Sequence, residues 1–289
     1  MKPRSALATA VALALVTFTA PAVAAPDPQE WESVLDAANG QTVYWNAWGG
    51  DARTNRYIAW VAEQMQESYG VRVEHVKLDD TSSAVARVLG EQQAGNDSEG
   101  SIDLIWINGE NFAAMREQDL LFGPFAASLP NFALTYPDEN PEVVTDFTLP
   151  TEGYESPWGK AQITFYYDSA QTDTPPQSIE ELLTWARANP GQFSYPRIPD
   201  FTGSTFLKQA LIELTDQADA LYAPVDETTF EEITAPLWAY LDELHPHLWR
   251  SGRSFPESGP NLRTLMSDGE LSLAFSFYPT DAAVAVMEY

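Results

Sequence analysis

The side chains best suited to chemistry in this sequence are acids, amides and indole rings gathered in short glycine-containing stretches. One stretch reads Asn46-Ala47-Trp48-Gly49-Gly50 and a second reads Asn108-Gly109-Glu110-Asn111. Glycine lets a ligand approach the backbone closely, and an indole ring attracts an aromatic or cationic group. The candidates for contact with a small molecule in these two stretches are Asn46, Trp48, Gly49, Asn108 and Glu110.

Both stretches also have a purely structural interpretation. The first could be a plain turn beneath a packed Trp48. In the second, Asn108 or Asn111 could cap a helix and Glu110 could complement the helix dipole. We favour binding for the first stretch and for Asn108, whereas both interpretations of Glu110 stay open.

A third stretch, Asp200-Phe201-Thr202-Gly203-Ser204-Thr205, precedes a predicted helix. Free backbone amides and hydroxyl groups at a helix start suit an anion or a phosphate group. The same residues serve equally as an ordinary helix cap, which is our interpretation of Thr205. Asp200, Thr202, Gly203 and Ser204 are therefore added to the ligand-contact candidates.

Catalysis finds little support in the pattern of residues. The sequence lacks a G-x-S-x-G elbow, an H-E-x-x-H pair, a phosphate loop and a dinucleotide fingerprint. It contains no Cys, and its three histidines include a His245-Pro246-His247 pair that makes a poor metal site. We expect no enzyme, cofactor or metal centre. Nine Trp and many acids leave a secreted carbohydrate-active enzyme as the alternative.

The elements that must position the first two stretches alternate between strand and helix. We predict strands at Thr42–Trp48, Val71–Leu78 and Ile102–Ile107, each followed by a helical pattern. Such alternation implies a parallel sheet with right-handed crossovers, and ligands bind beyond the carboxyl ends of its strands. Both glycine-containing stretches fall at those ends.

The rest of the chain predicts an irregular segment and a second α/β region. Six prolines interrupt residues 121–158, which we interpret as a long excursion over the surface. Beyond it, strands are predicted at Ala161–Tyr167, Gln192–Tyr195 and Leu271–Phe277, with helices after Ser178, from Ser204 and after Thr229. The predicted fold class is therefore α/β throughout.

Charge and the amino terminus indicate an exported protein. Residues 1–24 resemble a secretory signal peptide, with Lys2 and Arg4 before an apolar stretch and Ala22-Val23-Ala24 as the cleavage site. The net charge of −27 argues against nucleic acid and anionic membranes as partners. Adaptation to high salt explains this charge better than a cationic ligand does, because the acids are spread along the chain. We expect no membrane insertion after signal cleavage.

The order of motifs resembles the family 1 extracellular solute-binding proteins of ABC importers. The resemblance rests on the following segments: Tyr44–Gly50, Asp103–Phe112, Trp158–Asp168, Ser178–Leu182 and Met266–Ala274. It covers essentially the whole chain after the signal peptide, and its details are most similar to a branch near the thiamine and iron binders. Family members normally continue beyond this point, whereas this chain stops at Tyr289 inside a predicted helix.

This resemblance implies a periplasmic-binding-protein-like fold of type II, with a ligand cleft between two α/β lobes. We place the lobes at residues 25–162 and 163–289, the second of them incomplete because its return segment is missing. The implied location is the periplasm, and the implied partners are a small-molecule ligand, an ABC permease and an ATPase. Trp158 and Tyr166, which flank the implied crossing strand, complete the ligand-contact candidates.

A thiamine-like or other cationic aromatic solute is the ligand that we favour. Trp48 and Trp158 would supply ring faces, while Glu110 and Asp200 would supply negative charge. An oxyanion or a phosphorylated solute, held by Thr202–Ser204, is the main competitor. A sensing role instead of import is a third possibility.

Overall fold

The computed structural model describes residues 26–28, 30–96 and 98–288, so the predicted signal peptide lies outside it. The first described helix, α1, spans Trp31–Ala38. Within the described residues, no helix combines the length and the apolar character that a bilayer span requires.

The first half of the chain forms a parallel three-stranded sheet with helical crossovers, as predicted. Its elements are β1 (Thr42–Trp48), α2 (Ala52–Tyr69), β2 (Arg72–Leu78), α3 (Ser82–Gln93), β3 (Leu104–Ile105) and α4 (Gly109–Glu117). The strand order is β2-β1-β3, and both neighbours run parallel to β1. The Asp51 carboxylate caps α2, and Gly70 ends it at a φ of 67° that glycine adopts without strain. The β1 strand thus delivers Trp48 and Gly49 to the carboxyl edge of the sheet.

The third strand is shorter than its apolar sequence predicts. Only Leu104 and Ile105 pair with β1 in a regular ladder. Before the ladder, the Asp103 carboxylate accepts a hydrogen bond from the Tyr44 amide at 2.8 Å, so a side chain replaces a backbone partner. The contact resumes beyond the ladder, where the Trp106 amide donates to the Asn46 carbonyl.

The proline-rich excursion contains short pieces of regular structure. Three 3-10 turns span Ala126–Ser128, Phe132–Thr135 and Pro141–Val143. A small antiparallel hairpin follows, made of β4 (Thr145–Asp146) and β5 (Leu149–Pro150).

The second half of the chain is a helical layer around an antiparallel strand pair. Its elements are β6 (Thr164–Tyr167), α5 (Ile179–Ala188), α6 (Phe201–Leu214), α7 (Phe230–Leu244), α8 (Gly259–Ser267), β7 (Leu273–Ser276) and α9 (Asp281–Glu288). Strand β6 pairs with β7, with Thr164 opposite Ser276. The hydroxyl of Ser178 accepts from the Glu181 amide and caps α5, as the capping box predicts.

Two predictions about this half are wrong. Gln192–Tyr195 form no strand; Phe193 is buried in the core, and the backbone carbonyls of Gln192 and Phe193 accept hydrogen bonds from Ser272, Leu273 and Trp249. Helix α6 begins at Phe201 and not at Ser204, because the Asp200 carboxylate caps it three residues earlier.

Buried side chains form two separate clusters. The smaller one joins Trp45, Ala47 and Ile58 of the sheet and α2, while the larger one lies entirely in residues 166–275. Its largest fully buried members include Phe193, Phe206 and Phe275. Burial of such rings is the main source of stability in each half. Two separate cores are consistent with two lobes. The boundary between the lobes at residues 162 and 163 stays a prediction.

Candidate functional site

Aromatic rings line the carboxyl edge of the parallel sheet. The Trp158 ring lies with its centroid 4.9 Å from that of Trp45, 5.6 Å from Trp106 and 5.5 Å from Tyr57. Trp48 meets Trp106 edge to face at 6.4 Å. Trp158 keeps 40% of its surface exposed, whereas Trp45 beneath it is buried. The two predicted contacts Trp48 and Trp158 therefore belong to one aromatic wall that Trp106 connects.

Asn46 and Gly49 are part of the packing of the sheet at this edge. Asn46 lies within β1 and is fully buried, and its Oδ1 has no hydrogen-bond partner in the described part of the chain. The Gly49 amide donates to the Leu78 carbonyl, and a Cβ at Gly49 would lie 2.7 Å from the Cβ of Lys77. The glycine is thus required by the close approach of β2.

A cavity of about 570 Å³ opens between the two halves of the chain. It is lined by Asn108, Pro141, Glu142, Thr145, Asp146, Phe147, Ala161, Phe201 and Phe277. We call it the interlobe cavity. The Phe201 ring meets Phe147 edge to face at 6.1 Å and Phe277 at 5.1 Å. The Asn108 loop and the start of α6, two of the three predicted contact regions, therefore meet at one space.

Asp146 and Glu142 are the acids that line the interlobe cavity, and Asp146 interacts electrostatically with Glu155. The Asp146 carboxylate lines the cavity and accepts a hydrogen bond from the Gly109 amide, with 2.5 Å between N and Oδ2. Burial raises the pKa of Asp146, although the Gly109 amide and the positive charge of Lys208 oppose the shift. Burial and the neighbouring negative charge of Asp146 raise the pKa of Glu155 to about 8. Because the negative charge of Asp146 helps to raise the pKa of Glu155, a cation bound nearby would lower that pKa.

Glu110 and Lys208 form an ion pair between the two halves of the chain, beside Phe147 of the cavity wall. The Lys208 ammonium donates to the Glu110 carboxylate at 3.2 Å and lies 5.3 Å from the centroid of the Phe147 ring. Both ends of the pair are exposed, so its contribution to stability is small, about 0–1 kcal/mol. The negative charge of Glu110 is largely matched by Lys208, which weakens its predicted role as a cation contact.

The predicted anion site at the start of α6 is occupied by the chain itself. The Asp200 carboxylate accepts from the amides of Thr202 and Gly203, and its carbonyl accepts from the amide of Ser204. Burial raises the pKa of Asp200, and the negative charge of Asp80 from the opposite half adds to the shift. The amides of Thr202, Gly203 and Ser204 are consequently satisfied before any anion arrives.

Gly203 and Tyr166 also serve packing. A Cβ at Gly203 would lie only 2.0 Å from the carbonyl oxygen of Pro196. Tyr166 belongs to the large core, and burial raises its pKa to about 12. Its hydroxyl has no hydrogen-bond partner within the residues that the structure describes.

The sequence analysis did not single out Asp146, Phe147 and Phe277 of the cavity wall, nor Glu155, whose pKa Asp146 raises. Asp146, Phe147 and Glu155 lie in the proline-rich excursion. A segment without regular structure has no periodic pattern in its sequence from which the positions of its side chains could be predicted. Phe277 lies just beyond β7, where its position resembled an ordinary strand end. A search of the described residues finds no cluster of His, Cys, Asp or Glu that could hold a metal ion.

A parallel sheet of order β2-β1-β3 in the first half, an antiparallel strand pair in the second half and a cavity between the halves give the fold of the type II periplasmic binding proteins. Two solved structures share this fold. An ABC transporter structure from Rhodopseudomonas palustris CGA009 has a TM-score of 0.51 at 16% identity, with 86% of this chain and 66% of that chain covered. The Atu4243-GABA receptor has a TM-score of 0.52 at 16% identity, with coverages of 86% and 65%.

The sequence itself gives the family. The family model of the bacterial extracellular solute-binding proteins matches residues 59–288, and the chain belongs to this family. Protein YnjB of Escherichia coli (strain K12) is 47% identical over 253 residues, which are 88% of this chain. The aligned region spans 65% of the length of YnjB.

Proposed function

We propose that this protein is the solute-binding subunit of a bacterial ABC importer, which captures a small molecule in the interlobe cavity. The observation that carries the proposal is the convergence of Asn108 and Asp146 with Phe201 and Phe277 around one space of about 570 Å³. That volume suits a small metabolite. The fold and the family support the role, and they support export to the periplasm and work with a permease and an ATPase.

The charge of the cavity region favours a cationic solute. Asp146 and Glu155 lie together on one side, and the Asp80 charge acts on Asp200 between the two halves. Like charges brought together repel one another, so a bound cation would reduce the repulsion among these acids. The ammonium of Lys208, which could oppose a cation, already pairs with Glu110.

The aromatic content favours a solute that also carries a flat or apolar group. Three Phe rings line the interlobe cavity, and the exposed Trp158 belongs to the aromatic wall at the carboxyl edge of the sheet. Aromatic faces attract cations by about 0.5–2 kcal/mol per contact. A thiamine-like cationic aromatic compound satisfies both demands. An oxyanion is disfavoured because Asp200 occupies the amides that would bind it.

One observation bears on the alternative of a carbohydrate-active enzyme. Glu155, with its raised pKa, lies beside Asp146, as an acid and a base do in glycosidases. Both acids, however, come from the same excursion and not from opposite walls. Release of reducing sugar from soluble glycans, abolished in Glu155→Gln, would establish the enzyme instead of the binder.

A binding screen tests the proposal. Purified protein is titrated calorimetrically and by thermal shift with thiamine, spermidine, maltose and inorganic phosphate. We expect thiamine, or at least one organic cation, to raise the melting temperature in proportion to the logarithm of its concentration. Binding of phosphate or maltose with no response to either cation would overturn the cationic assignment. A lack of response across a wider panel of metabolites would overturn solute capture itself.

A further inference from the structure

A partly buried ion pair joins the start of α2 to the start of α9. The Arg53 guanidinium donates to the Asp281 carboxylate, with 2.6 Å between Nη2 and Oδ1. The two residues are 228 positions apart, and the Asp281 side chain is only 7% exposed. A charge so deeply placed is stable only with its partner, because an uncompensated buried carboxylate is costly.

The position of Arg53 is fixed by Asp51, which precedes α2. The Asp51 carboxylate accepts from the Arg53 and Thr54 amides at 2.9 Å, and its second oxygen lies 3.4 Å from Arg53 Nη2. The Thr54 hydroxyl lies 3.4 Å from the Tyr278 hydroxyl, and the guanidinium lies 5.9 Å from the centroid of the Tyr278 ring. The first turn of α2 thus contacts both ends of the segment 278–281.

Asp281 in turn organises the segment that carries Phe277. Its Oδ2 accepts from the Ser276 hydroxyl at 2.5 Å, and that hydroxyl accepts from the Tyr278 amide at 2.9 Å. The Asp281 amide donates to the Tyr278 carbonyl. Phe277 lies in the middle of this bonded turn and forms part of the wall of the interlobe cavity.

We propose that Arg53 and Asp281 are a positioning pair, which holds the Phe277 wall of the interlobe cavity against α2 and fixes the spacing of the two lobes. The pair touches no solute and acts through Phe277. Its importance for solute capture rests on the function proposed above, whereas its control of the spacing does not. The Arg53–Asp281 pair is partly buried and fixes one edge of the cavity. The Glu110–Lys208 pair is exposed and restrains the chain more weakly.

Pulsed electron paramagnetic resonance on the solute-free protein tests the spacing. Because the chain has no Cys, spin labels attach only at two introduced sites, Glu63→Cys on α2 and Ala239→Cys on α7, both of which are exposed. We expect Arg53→Met to broaden the distance distribution, and Arg53→Lys to restore most of the original width. The matched control is Arg187→Met, which removes an exposed ion pair with Glu243 inside the second half and should leave the distribution unchanged.

Amide hydrogen exchange gives a second measurement, at the Phe277 wall of the interlobe cavity. The amides of Tyr278 and Asp281, which are hydrogen-bonded within this turn, should exchange about tenfold faster in Arg53→Met and remain slow in Arg53→Lys and Arg187→Met. Arg263, 3.9 Å from the same oxygen of Asp281, retains part of the neutralisation and favours folding of the variant. If Arg53→Met does not fold, Asp281→Asn repeats both measurements, since it keeps an acceptor for Ser276.

The outcomes separate this proposal from the proposed function. An unchanged distance distribution and unchanged exchange in the folded variants would overturn the positioning pair, whatever the protein binds. Altered spacing with no binding of thiamine or spermidine to the wild-type protein would support the pair and count against the solute class. Altered spacing together with about tenfold weaker thiamine binding in Arg53→Met would support both.

Discussion

The backbone amide of Gly109 donates a hydrogen bond to the carboxylate of Asp146, with 2.5 Å between the nitrogen and Oδ2. The contact ties the first turn of α4, at the sheet edge, to the β4–β5 hairpin of the excursion. Gly109 has a φ of 57°, and a Cβ there would lie 3.3 Å from the Phe147 ring. Glycine at this position lets the hairpin approach closely enough to place an acid in the interlobe cavity.

Asp146→Asn should weaken binding of thiamine about tenfold, because it removes a half-buried negative charge and keeps the acceptor for Gly109. Calorimetric titration measures the change. The control Asp219→Asn alters net charge equally at an exposed site and should leave affinity unchanged. Equal affinities in Asp146→Asn and the wild-type protein would remove this carboxylate from the site.

Glu155→Gln should change how stability depends on pH. The pKa of Glu155 is about 8 in the folded protein and near 4.5 when unfolded, so the folded state binds the proton more tightly. Its contribution to stability is therefore present below pH 4.5 and is lost as pH rises to about 8. The glutamine variant should melt at a higher temperature than the wild-type protein above pH 8, and the difference should vanish below pH 4.5.

Melting curves from pH 4 to pH 9 measure this effect. Glu227→Gln, which alters an exposed acid elsewhere, is the control and should shift all melting temperatures alike. Parallel profiles for Glu155→Gln and the wild-type protein would contradict the raised pKa.

Gly203→Ala should destabilise the protein by about 1–3 kcal/mol, because the added methyl group collides with the Pro196 carbonyl oxygen. Gly90→Ala in α3 is the matched control, since its Cβ meets nothing within 4 Å and alanine favours the helix. Urea denaturation should show the two substitutions with opposite signs. A stable Gly203→Ala protein with weakened solute binding would instead return Gly203 to the ligand contacts.

Trp158→Leu should weaken binding of thiamine by about tenfold through loss of an aromatic face. Trp238→Leu removes another exposed indole, on α7, whose Nε1 donates to Thr234 of the same helix, and it should leave affinity unchanged. Competition against a radiolabelled thiamine probe measures both. Identical affinities for the two variants would show that the aromatic wall supports the sheet edge and does not contact solute.

The sequence by itself determined most of the local structure. The apolar run Thr42–Trp48 became β1 residue for residue, and Gly70 and Ser178 ended and capped helices where their types predict. Strand-helix alternation also predicted the parallel sheet, and the order of motifs indicated the family. These features depend on neighbours in the chain, and periodicity and capping report them directly.

Only the tertiary structure decided which of the candidate residues lie at the cavity. Asn46 and Tyr166 face the interior, Gly203 faces Pro196, and the amides at the start of α6 bond to Asp200. Asp146 and Phe147 reach the cavity through a proline-rich segment with no periodic pattern. The physical reason is that a side chain's surroundings depend on long-range packing and on the paths of irregular segments, neither of which leaves a period in the sequence.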